Sequence, residues 1–129
     1  MKKEKNKLGM LIESVLKSDV EIRAIGLCTS DGFPIVSALT QSIEQVPDKF
    51  AAMSSTITAL CDSSARLIHE APLSIAIIET QEGNTLFLKT DYKKSPCVLV
   101  LVADQGMALG TARYKIINLS KQIQGMKEA

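Results

Sequence analysis

Seven consecutive residues near the C-terminus, Cys97-Val98-Leu99-Val100-Leu101-Val102-Ala103, are all apolar. A strand turns successive side chains to opposite faces, so a strand with one wet face alternates apolar and polar residues. This run does not alternate. It predicts a strand buried on both faces, in the middle of a sheet with helices on either side. That requirement sets a three-layer α/β/α arrangement. A chain of 129 residues is long enough to supply it as one domain over 1–129.

The other segments fit around that strand. Leu8, Leu11, Ile12, Val15 and Leu16 recur at helical spacing and predict an amphipathic helix from about Lys3 to Ser18. Ile22 to Thr29 reads as a strand, broken by Ser30-Asp31-Gly32, a tight turn, and returned by Phe33 to Leu39. Pro34 cannot donate a ladder hydrogen bond, so this second strand belongs at a sheet edge. Thr40 to Val46 reads as polar linker. Pro47 and Asp48 suit a helix start, and the helix extends to Glu70, stopped before Pro72. Leu73 to Thr80 and Thr85 to Thr90 are two more strands joined by a turn over Gln81 to Asn84. Asp91 to Pro96 reads as a loop, and a last helix runs from about Met107 to Gln124. The order is α-β-β-α-β-β-β-α, an α+β chain with a mainly antiparallel sheet.

Composition excludes several classes of function. Fifteen Lys and Arg against fourteen Asp and Glu leave a net charge of +1, and aromatics are 4% with no Trp. Neither a basic excess nor stacking platforms for bases are present, so no nucleic-acid partner is expected. Cys28, Cys61 and Cys97 are odd in number and far apart, which predicts buried reduced thiols and a cytoplasmic setting rather than disulfides. Phosphate-loop, nucleophile-elbow and dinucleotide signatures do not occur, and the one histidine, His69, has no cysteine or histidine cluster around it. No catalytic residue, metal or cofactor is expected, and the chain reads as a non-enzyme. The basic start, Lys2 to Lys7, reads as a solvated helix beginning rather than a secretion signal or an integral membrane segment.

Two features are out of place for a self-contained domain. The long helix has a mainly bulky stripe (Phe50, Met53, Ile57, Leu60, Cys61, Ser64, Leu67, Ile68) and a second stripe of small residues: Ala52, Ser55, Thr56, Ala59, Ser63. One sheet face covers one stripe, and the expectation is that it covers the bulky one. The strand carrying Ser74, Ala76 and Ile78 lacks the lysine or proline that usually discourages edge pairing. Both point to a protein completed by a second copy. On the same helix, Asp62, Arg66 and His69 form a polar patch at ion-pair spacing, a candidate partner contact.

The chain resembles the roadblock family, related to dynein light chains. The resemblance rests on Ile25-Gly26-Leu27-Cys28-Thr29-Ser30-Asp31-Gly32-Phe33-Pro34-Ile35-Val36-Ser37, on Ala51 to Ser55 at the start of the long helix, and on the strand pair around Gly83. Val98 to Val102, and Gly106 with Arg113, add to it. It implies a five-stranded antiparallel sheet of roadblock-like (profilin-like) form, with the long helix on one face and the other two helices on the opposite face. It also implies a homodimer, or a pair with a paralogous roadblock protein, in which third strands and long helices meet. Family members scaffold or regulate small Ras-like GTPases, and some bacterial members stimulate GTP hydrolysis without an arginine finger. The rival reading is a small-molecule sensor with an enclosed pocket.

Overall fold

The computed structural model describes residues 2–40 and 47–126, with side chains described from Lys7 to Thr40 and from Asp48 to Met126. The element order is α1 (Lys2–Ser18), β1 (Ile22–Thr29), β2 (Pro34–Leu39), α2 (Pro47–His69), β3 (Ile75–Thr80), β4 (Gly83–Tyr92), β5 (Ser95–Asp104) and α3 (Leu109–Gln124). Beyond Thr40, the linker read up to Val46 lies outside the described residues.

The strands form one antiparallel sheet in the order β2-β1-β5-β4-β3. The apolar strand β5 is central, as its lack of alternation requires. Cys97, Leu99, Leu101 and Ala103 enter the layer under α1 and α3, while Val98 and Val100 enter the layer under α2. The proline strand β2 is an edge. Pro34 sits opposite Cys28, where the β1–β2 register shifts, so the missing N–H falls at an irregularity. Gly32, at φ 97°, closes the β1–β2 turn against α2. At Gly83 (φ 143°) a Cβ would collide with the carbonyl of Ala103, so only glycine lets β4 begin there.

Several boundaries differ from the sequence expectation for reasons of geometry. The turn expected over Gln81 to Asn84 is only Gln81 and Glu82, because Gly83 and Asn84 already pair with Thr80 and Glu79. The loop expected over Asp91 to Pro96 is a two-residue hairpin: Tyr92 pairs with Ser95, and Lys93 and Lys94 alone make the turn. Both lysines have positive φ, 52° and 65°. The turn therefore has the primed geometry that matches strand twist, without the Asn or Gly that usually announces it. Likewise β3 starts at Ile75 rather than Leu73, because the Leu73 N–H is taken by a side chain instead of a ladder partner.

The two layers are unequal. Among the described residues, eighteen buried side chains form the α1/α3 layer, including Leu8, Ile12, Ile25, Leu99, Leu101, Ile116 and Ile123. Burying one leucine or isoleucine contributes about 1.5–3 kcal/mol, so this layer carries most of the fold. Ser120 Oγ and Gln124 Nε2 both donate to Thr90 Oγ1 (2.8 and 3.2 Å), tying the end of α3 to β4. The α2 layer has six such residues: Cys28, Ala51, Ala76, Phe87, Val98 and Val100.

The α2 layer also corrects the stripe assignment. Ala51, Ser54, Ser55 and Thr58 are buried against the sheet, flanked by half-buried Phe50, Ile57 and Cys61. Met53, Leu60, Leu67 and Ile68, expected inside, point out. Small side chains let the helix lie close to a sheet in which Gly26 faces Phe50. The bulky side chains on that side, Phe50 and Ile57, are half-buried and pack against the α2 layer, Phe50 over Gly26.

Candidate interaction surface

The rotation of α2 puts apolar side chains where water is. Met53 is 50% exposed, Leu60 67% and Leu67 84%. These three lie seven residues apart, with Thr56 and Ser63 between them, which is the 3.5-residue repeat of a helix-pairing seam. Ala52, Thr56, Ala59 and Ser63, expected at an interface, all lie on this exposed side. Ser55 does not: it is buried within its own chain, and its hydroxyl donates to the carbonyl of Ala52 (3.0 Å).

Beside this face runs the free edge of β3. Among the described residues its only ladder partner is β4. Ala76 packs into the α2 layer, and Ile78, two residues on, shares that face and is exposed. Ser74 is exposed just before the ladder begins. The β3 edge and the outer face of α2 thus lie on one side of the sheet, although some ten residues or more separate them in sequence. Exposed apolar clusters of this kind mark association surfaces.

The polar candidates at the end of α2 divide. Asp62 is a fastening. Its Oδ1 accepts the Leu73 N–H (2.8 Å), and its Oδ2 accepts from Arg66 Nε (3.0 Å) and Lys89 Nζ (3.3 Å). The backbone N–H of Leu73, the Arg66 guanidinium and the Lys89 ammonium hold its carboxyl at about 2, well below the ordinary carboxylate value. One carboxylate thereby sets the end of α2 against the start of β3 and against β4. Arg66 remains more than half exposed, and His69 is exposed one turn further on. Glu70, with φ 53°, ends the helix in a left-handed cap.

No sequence signal linked Asp62 to Lys89, because the contact spans 27 residues. A signal for the outward seam did exist: Met53, Leu60 and Leu67 keep seven-residue spacing, and the small residues between them favour close approach.

The buried thiols are poor nucleophiles. Burial, together with the nearby Cys97 thiol, pushes Cys28 up to about 11, and burial raises Cys97 as well. A cavity of about 20 Å³ lies among Gly26, Pro34, Phe50 and Ser54, and an open cleft of about 220 Å³ among Ser30, Thr58, Asp62, Ser63 and Lys89. Ligand pockets usually span roughly 300–1,000 Å³, so neither favours the sensor reading. Among the described residues, no three His, Cys, Asp or Glu gather as a metal site, and no helix is long and apolar enough to cross a membrane.

No family model matches the sequence, and no curated protein matches it. Solved structures do. The chain is similar to MglB of Myxococcus xanthus, with a TM-score of 0.79 at 22% identity over 92% of this chain and 92% of that one. It is similar to MglB with tetrameric arrangement, TM-score 0.78 at 18% identity over 94% and 88%. A Roadblock/LC7 domain from Streptomyces avermitilis follows, TM-score 0.72 at 17% identity over 90% and 93%.

Proposed function

We propose that this chain, whose fold is the roadblock fold, is a non-enzymatic interaction module that works as a dimer and binds a small Ras-like GTPase, which it regulates or scaffolds. The observation that carries the reading is the bare β3 edge beside an outward apolar seam on α2. A second copy, or a paralogous roadblock chain, satisfies both features together. Edge strands pair through backbone hydrogen bonds, and the Met53-Leu60-Leu67 seam receives its counterpart. That a similar chain is titled as a tetrameric arrangement is consistent with self-association. The expected buried area is of standard size or larger, roughly 1,600 Å². Buried thiols of raised pKa suit a reducing compartment, the cytoplasm.

The GTPase contact is assigned to Arg66 and His69, exposed on the helix end that Asp62 fixes. Fastened at its base, Arg66 loses little conformational freedom on binding. Stimulation of GTP hydrolysis is one measurable form of the proposed regulation.

Sedimentation of the wild type at micromolar concentration should give a dimer, and Ala59→Arg should give a folded monomer, because it sets a charge in the seam. A wild type that is monomeric at that concentration overturns the dimer. Titration against the GTP-loaded small GTPases of the same cell should show binding that Arg66→Ala weakens. Absence of binding to any of them overturns the partner.

A further inference from the structure

The fold gathers lysines from three distant segments at one end of the molecule. The β4–β5 turn is Lys93-Lys94. Beside it lies the β1–β2 turn, joined through the Ser30 N–H, which donates to the Pro96 carbonyl (3.1 Å). Helix α3 ends here as well, since Gln124 bonds Thr90, and it brings Lys121 in its last turn. Helix α1 starts at this end too. Gly9 faces Val36, which pairs with Leu27 only two residues from the top of β1. The turn before Gly9 brings exposed Lys7 toward this end.

Against Lys7, Lys93, Lys94 and Lys121 the same segments place Asp31 and Asp91, and beside Ser30 the Asp62 carboxylate is paired with Lys89. The opposite end carries Asp19, Glu21, Glu79, Glu82 and Asp104, with Lys17, Arg23 and Lys115 among them. A net charge of +1 therefore conceals a molecule with a basic end.

We propose that this end is a contact surface for a membrane leaflet rich in anionic lipid. Three observations favour a bilayer over a discrete ligand or a protein. The lysines come from the ends of separate elements, so they face a broad anionic surface rather than converge on one group. Phe33, in the adjoining β1–β2 turn, is 65% exposed, and a bare aromatic ring beside lysines is the composition of an interfacial anchor. The turn itself is strained. Left-handed backbone disfavours side chains with a Cβ, and Asn-Gly serves a two-residue hairpin better, yet two lysines occupy it. Lys93 lies over the Tyr92 ring, its ammonium 5.4 Å from the ring centre, which braces the turn. The turn thus places two lysines at this end, Lys94 exposed and Lys93 held against Tyr92.

The test uses the full chain and vesicles of phosphatidylcholine alone or with roughly one-third phosphatidylglycerol. Co-sedimentation should occur with the anionic vesicles only and fall as salt rises. Each lysine near an anionic leaflet is worth about fivefold, so Lys93→Asn/Lys94→Gly should weaken partition at least tenfold while the thermal midpoint stays or rises. Phe33→Ser should weaken it further. Equal partition to both vesicle types, or wild-type partition by the double variant, overturns the proposal. So does a double variant that binds vesicles normally but loses association between copies, which would assign the lysines to the acidic end of another chain. Because oligomeric state is read separately, failure here leaves the dimer reading untouched.

Discussion

The two faces of the sheet make an instructive pair. Under α1 and α3, leucine and isoleucine from both helices and the sheet interlock, and the outward sides of both helices are mainly polar. Under α2 the contact is thin and built from alanine, serine and threonine, while leucines point into solvent. The edges differ in the same sense: β2 has Pro34 and a register shift, β3 has neither. One half of the molecule is finished by its own chain, and the other half is arranged to be finished by another. Burial on the α1/α3 side is folding energy; exposure on the α2 side is binding energy held in reserve.

The sharpest way to break this contrast is to cut the same volume from each half. Leu99→Ala or Ile116→Ala, on the finished side, should cost about 2–5 kcal/mol in denaturant unfolding. Leu60→Ala should cost the isolated chain under about 0.5 kcal/mol, as for other exposed positions, and show its effect only as weaker dimerisation. Equal losses would mean that the α2 face is no reserve.

Next in size is Ala59→Arg, expected to weaken dimerisation at least about a hundredfold by sedimentation, since charges at a packed seam leave polar groups unpaired. Ile78→Lys, which gives β3 the edge lysine it lacks, should act in the same direction but less, because an exposed lysine can swing aside.

A smaller effect concerns the fastening between the halves. Asp62 titrates at about 2 when folded, below its unfolded value near 4. Folding therefore favours the ionised form. That stability is fully present above about pH 4 and is lost as pH falls from 4 toward 2. Asp62→Asn should flatten this part of the stability–pH curve, and a curve unchanged in the variant would remove the role given to Asp62.

The smallest concerns Ser54, whose buried hydroxyl has no hydrogen-bond partner among the described residues. Ser54→Ala should be neutral or stabilising by up to about 1 kcal/mol in thermal unfolding. Clear destabilisation would reveal a partner for that hydroxyl and a tighter α2 layer than the one described.

Much of the architecture was legible along the chain because its signals are local. An unbroken apolar run places β5 at the centre, Pro34 places β2 at an edge, and Asp31-Gly32 turns the chain. Each follows from the stereochemistry of a few adjacent residues. The Lys93-Lys94 turn was missed for the same reason: its residues give no local cue for left-handed backbone, and strand pairing on both sides imposes it. Of the five residues read as one small stripe, Ala52, Thr56, Ala59 and Ser63 are exposed, whereas Ser55 turns inward.

By itself the sequence determined the order of elements, the central strand, one blocked edge and the presence of two stripes on α2. Only the tertiary structure decided which stripe meets the sheet, that Asp62 fastens to Lys89, and that lysines far apart in the chain share one end. Periodicity defines the faces of a helix but leaves its rotation about the axis free. That rotation is fixed by the opposing surface: here Gly26 makes room for Phe50, and Ala51, Ser54 and Thr58 are buried on the same side of the helix.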